Sequence, residues 1–266
     1  SSLLLLDVIP LSIGLETVGG IMTKIIPRNT TVPTRRRHVF TTDHDNQDAV
    51  IVQIFEGERQ LTKDCNKLGE FTLSNLPRMP RGVPQIEVTL DVDSNGLLNV
   101  HAVEKSTGAR NKITITNDSG KHSKDDVHRM VKEAETHRLE DQKNRALVQS
   151  RNRLNEFAYE LSNKLLRGEK AKKNLSVEEL ESIEETLENV IEWLDENDGE
   201  NGTSLASIDV YEEKLKQLSA KATPLLKRCG FVLSGSSFER PEHLPTDHFN
   251  GWSRRSDGIV IENCDP

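Results

Sequence analysis

The hydrophobic period of the chain changes once, near residue 120, and that change divides what it can fold into. Before it, Ile86, Val88, Leu90 and Val92 alternate with Glu87, Thr89 and Asp91, the period of a strand with one buried face. After it, Leu147, Leu154, Ala158, Leu161 and Leu165 recur at helical spacing. A two-residue period and a 3.6-residue period cannot belong to one element. Proline respects the same division, with none between Asp91 and Ala222.

The first part reads as short strands at intervals of about ten residues. Ile21–Ile26, Val39–Thr42, Ala49–Phe55, Phe71–Leu73, Ile86–Val92, Leu98–Ala102 and Lys112–Ile115 are the runs. Asn95-Gly96 suits the two positive-φ positions of a type I′ turn. Gly14 to Gly20 reads as a glycine-hinged loop, and Arg35-Arg36-Arg37 as a solvated loop. The second part opens with Ser123 and Asp126 spaced as a capping box, and Ser176 with Glu179 repeats the pattern. Helices are expected from Ser123, through Leu147–Leu165 to Gly168 and a Lys-rich loop, from Ser176, and from Tyr211 to a stop at Pro224. The predicted class is α+β: an antiparallel β-sandwich of about eight strands, then an α-helical bundle.

Composition narrows the function. Hydrophobic residues are 34% and aromatic ones 4%, so the core is built mostly from Val, Ile and Leu. The formal net charge is −8; residues 1–120 carry 13 basic and 14 acidic groups, and the remaining 146 carry 22 and 29. An acidic chain lacks the positive field that nucleic acid or an anionic membrane requires. No apolar run approaches the roughly 20 residues of a membrane-spanning helix. Cys65, Cys229 and Cys264 are odd in number and far apart, which gives no disulfide framework.

Chemical motifs fail on inspection. In Gly14–Ile21 the glycine spacing suggests a phosphate loop, but Gly20 and Ile21 stand where Lys and Ser/Thr belong. Asp91–Gly96 opens like a calcium loop, and its twelfth position is Ala102 instead of Glu. His243, His248 and Cys264 do not reach the spacing of a metal site. What remains is binding: Leu11–Gly20 and Val39–Val50 read as loops unusually rich in aliphatic residues, the composition of a contact patch or groove.

Several blocks carry a family resemblance. Leu3–Thr17 resembles the interdomain linker and first strand of the 70-kilodalton heat-shock chaperones. Asn29–Thr34, Asp45–Gln47, Glu56–Arg59, Pro80–Val88 and Lys112–Asp118 are further blocks of that family in order, and Ile191–Leu194 fits its helical part. The resemblance implies a linker at 1–8, a peptide-binding β-sandwich at 9–120, a helical lid at 121–228 and a disordered tail at 229–266. The expected function is a lid-gated module holding extended hydrophobic segments of unfolded proteins; the alternative is a structural module whose helical half binds a partner.

Residue by residue, the resemblance places a pocket for a substrate side chain at Leu15, Phe40, Val50, Val52 and Ile86. Thr17, Thr41 and Gln47 match positions that bond the peptide main chain. Val18 and Asp43 match the pair arching over the peptide. Asp45 and Arg81 match a latch facing lid positions Asn155 and Tyr159. The resemblance further implies J-domain co-chaperones of the full-length protein, with no nucleic acid and no membrane as partner. The family's ATPase precedes the linker, so this chain is expected to be no enzyme and to take no cofactor, ATP and Mg belonging to the absent domain. The run Glu16–Thr30 is most similar to the endoplasmic-reticulum member, which implies the lumen; the ending Glu262–Pro266 is not a retention signal, and the cytoplasm is the alternative.

Overall fold

A computed structural model of the chain describes residues 7–116, 122–197 and 205–231. Most of the expected linker, the junction at 117–121 and nearly all of the expected tail, with His243, His248 and Cys264, lie outside the described residues. By internal contacts the described residues divide into a first unit that ends at Arg145 and a second unit that begins at Ala146.

The described residues of the first unit form eight strands in two antiparallel sheets. One has the order β2-β1-β4-β5 and the other β3-β6-β7-β8. The strands are β1 Ile13–Thr17, β2 Ile21–Ile26, β3 Thr34–Phe40, β4 Ala49–Glu56, β5 Asn66–Ser74, β6 Ile86–Val92, β7 Leu98–Glu104 and β8 Arg110–Ile115. Alternation does what the sequence implies: in β6, Ile86, Val88, Leu90 and Val92 are at most 3% exposed. They meet Leu15, Ile54 and Leu73 from the other sheet in one apolar cluster.

Several local expectations are corrected. Residues 11–20 are no loop: they contain β1, and only Val18–Gly20 turns, with Gly19 and Gly20 at positive φ. Gly14 is paired on both sides within β1, and only glycine fits there, since a Cβ would stand 2.2 Å from the Thr23 carbonyl oxygen. Arg35–Arg37 are exposed but belong to β3, which starts eight residues after β2 and ends at Phe40; a basic run hides a strand whose outer edge faces water. The Val39–Val50 stretch accordingly begins and ends in strands. The turn at Asn95-Gly96 is not type I′, since only Gly96 has positive φ. Asp93 shapes it instead, its Oδ1 accepting from the amides of Asn95 and Leu97 at 2.8 Å each.

Helix α1, Lys124–Thr136, starts at the Ser123–Asp126 capping box. Helix α2 follows as Arg138–Leu161. Asp141, 2% exposed, receives the Arg59 guanidinium on both oxygens at 2.7 and 2.8 Å, and Arg145 donates to Gln60 at 2.6 Å. These contacts hold the start of α2 on the turn after β4.

In the second unit, a π-helical turn at Ser162–Leu166 precedes α3, Glu169–Asn174. The Lys-rich stretch is thus a short helix, anchored by the fully buried Ala171. Helix α4, Val177–Glu196, carries the Ser176–Glu179 capping box, and α5 spans Ile208–Arg228. Pro224 sits inside α5 and does not end it. Leu226 and Cys229, 1% and 5% exposed, give the last turn a core to join, which outweighs the missing amide donor. Leu154, Leu161, Leu187, Tyr211 and Leu218 belong to one apolar cluster among the described residues of this unit.

Candidate functional site

The five residues assigned to a side-chain pocket all come to one cluster. Leu15, Val52 and Ile86 are 4%, 7% and 2% exposed, while Phe40 and Val50 pack against the same cluster half-buried. Register explains the convergence. Phe40 pairs with Ile86 across β3 and β6, and Leu15 with Ile54 across β1 and β4. Val50 and Val52 lie four and two residues before Ile54 on β4, on the same face as Leu15. His38, two residues from Phe40, sets its ring 4.6 Å from the phenyl centroid. Burial lowers its pKa, and its Nε2 is buried without a hydrogen-bond partner. Sequence reasoning passed over His38; its parity with Phe40 on β3 is the signal, hidden when the strand is expected to begin only at Val39.

The polar residues divide. Thr17 Oγ1 stands 2.9 Å from Thr23 Oγ1 and donates to the Ile21 carbonyl at 3.3 Å. Gln47 is turned into its own loop: Oε1 accepts from the amides of Asp43 and His44 at 3.3 and 3.4 Å, and Nε2 donates to the Ala49 carbonyl at 2.9 Å. Thr41 is exposed. Val18 is 46% exposed at the β1–β2 turn, and Asp43 Oδ1 lies 2.9 Å from His44 Nδ1. Asp45 Oδ1 accepts the Arg81 amide at 3.0 Å, and Arg81 Nη1 donates to the Asp43 carbonyl at 3.4 Å. Asn155 and Tyr159, the assigned lid partners, are half-buried on α2 in the second unit.

Two four-stranded antiparallel sheets sharing a core, followed by amphipathic helices, define an α+β chain of chaperone type once relatives are set beside it. The family described as Hsp70 protein matches residues 1–230, and the chain belongs to the Hsp70 family. It is 43% identical over 263 residues to a heat shock 70 kDa protein of Emericella nidulans, covering 99% of this chain and 39% of that one. It is 49% identical over 228 residues to a heat shock 70 kDa protein of Neurospora crassa, covering 86% and 34%. A heat shock 70 kDa protein of Penicillium citrinum is 48% identical over 227 residues, covering 85% and 43%. The chain thus spans between about a third and two fifths of these relatives' length.

This membership overturns two expectations. The chain was expected to be no enzyme and to take no cofactor; it matches the Hsp70 family across residues 1–230 and its relatives over up to 99% of its length. The resemblance ties that family to an ATPase with ATP and Mg, and motifs missing from a stretch shorter than half of its relatives do not remove a protein from its family's chemistry. Gly14 of the glycine run is locked in a strand against Thr23, and among the described residues no group of three or more His, Cys, Asp or Glu side chains could hold a metal ion.

Proposed function

We propose that the first unit holds extended hydrophobic segments of unfolded polypeptides, as the substrate-binding half of an Hsp70 chaperone, and that helices of the second unit act as its lid. The assignment of residues is 1–8 linker, 9–120 β-sandwich, 121–228 lid and 229–266 tail. The observation that carries the reading is the convergence of Leu15, Phe40, Val50, Val52 and Ile86 on one apolar cluster, with Phe40 and Val50 only half-buried. A passive scaffold has no need to leave a phenyl ring and a valine half-buried against its core.

Burying one leucine side chain there contributes about 1.5–3 kcal/mol, whereas micromolar affinity needs about 8.2 kcal/mol. Main-chain hydrogen bonds along an extended peptide supply the difference, and they give breadth of choice because every peptide shares the same backbone. J-domain co-chaperones are the partners proposed for the whole protein. The endoplasmic-reticulum lumen is the compartment proposed from Glu16–Thr30, and cell fractionation tests it.

The test is fluorescence anisotropy with an extended Leu-rich heptapeptide against a charged control. The wild-type chain should favour the Leu-rich peptide. Val50→Phe should weaken it about tenfold, or about 1.4 kcal/mol, because a ring overfills the cluster's edge. The melting temperature should change little. Unchanged binding by Val50→Phe would place the site elsewhere.

A further inference from the structure

Strand β3 is an edge, paired with β6 from Thr34↔Val92 to Phe40↔Ile86 and with no strand on its other side among the described residues. Its exposed stretch is Arg35-Arg36-Arg37. None of the three makes an ion pair or a side-chain hydrogen bond with a described residue. Arg35 stands opposite Asp91 and Arg37 opposite Thr89 on the sheet's outer face. The Arg37 row continues through His101 to Lys112 across β7 and β8, and it contains no carboxylate. A chain of net charge −8 therefore presents a strand edge and an adjoining row that are locally cationic.

We propose that β3 takes an extended, acidic polypeptide segment as an added strand of the β3-β6-β7-β8 sheet. Backbone groups of an edge strand are a template for such pairing. Acidic residues at alternate positions of the incoming strand repeat at about 6.7 Å, the spacing of Arg35 and Arg37. A guard against aggregation explains charge on an edge, but charge of either sign would serve. Three arginines repel a second copy of β3 and select an occupant of opposite sign. Nucleic acid fits less well, since no Phe, Tyr or Trp stands on the outer face for bases to stack on.

The test uses the full chain and fluorescein-labelled peptides alternating Glu with Thr or Lys with Thr, which carry no large apolar side chain for the other site. The Glu peptide should bind about tenfold or more tighter than the Lys peptide, and the difference should shrink as salt rises. Arg35→Glu with Arg37→Glu should remove the preference, and Arg35→Gln with Arg37→Gln should reduce it, with circular dichroism unchanged. Amide exchange over Thr34–Phe40 should slow when the Glu peptide is added. Equal binding of the two peptides overturns the proposal. So does displacement of the Glu peptide by the Leu-rich heptapeptide, or tighter binding of a single-stranded oligonucleotide.

Discussion

Glu104 shows how one side chain fixes a turn that composition reads only as polar. It is 1% exposed at the end of β7, and its Oε2 accepts from the amides and hydroxyls of both Ser106 and Thr107 at 2.6–3.0 Å. Burial works to raise the carboxyl, and these four donors outweigh it, holding the pKa at about 2. A carboxylate with a depressed folded pKa contributes stability that is present above its unfolded value and lost as pH falls. The window here runs from about 4.5 down to about 2. Glu104→Gln should cost about 2–3 kcal/mol at neutral pH and should flatten the acid side of the stability profile in that window. Denaturant titrations from neutral pH downward measure both, and a variant with the wild-type acid limb would assign that limb to other carboxylates. Thr17 and Gln47 belong to the same scale: their side chains organise the β1–β2 turn and the loop after β3, a structural task beneath the one the resemblance gives them.

At the scale of elements, α2 is tied to the strands by the Arg59–Asp141 pair. Burial tends to raise the Asp141 carboxyl, and hydrogen bonds from Arg59 and the Gln60 amide, with the Arg59 charge, hold it below its ordinary value. Asp141→Ala leaves a guanidinium that is only 19% exposed without its main partner, so it should cost about 3 kcal/mol, the lower end for breaking a buried pair. Arg59→Met with Asp141→Leu should cost less, because no charge is stranded. Amide exchange over the first turns of α2 reads the same effect locally; if both variants leave it unchanged, the pair does not hold the helix. Nothing in the sequence marks this pair, since Arg59 and Asp141 are distant and each sits in an ordinary charged stretch. The apolar runs β2 and β4, the alternating strand β6 and the two capping boxes were legible to within a residue or two. What escaped had a physical cause: β3 carries three consecutive exposed arginines at an edge, β5 begins in polar residues at Asn66, and α5 passes Pro224 because burial beyond it continues. The apolar members of the candidate site were legible through resemblance. Their convergence depends on cross-strand register, which a single sequence does not display.

At the scale of the whole molecule, the question is whether the helical residues slow the escape of a bound peptide. The expected boundary at 120 and the contact boundary after Arg145 make two different truncations. Ending the chain after Arg145 keeps Asp141 with Arg59 and Arg145 with Gln60, and it keeps Asp45 and Arg81 bonded to one another, while removing Asn155 and Tyr159. Ending it after Gly120 removes the α1–α2 support as well. If the second unit is a lid, the Arg145 truncation should bind the Leu-rich peptide at an association rate near that of the full chain and release it about tenfold faster, since variants of one interface differ mainly in dissociation. The Gly120 truncation should release it at least as fast and should also lose the stability of the buried pair. Stopped-flow association and dissociation, measured beside thermal unfolding of each form, separate the two losses. Release that is no faster after the Arg145 truncation would remove the lid from the proposed function and leave the peptide site standing. Release that is faster only after the Gly120 truncation would move the gating role to α1 and the first turns of α2, and the Arg59–Asp141 pair would then be its anchor.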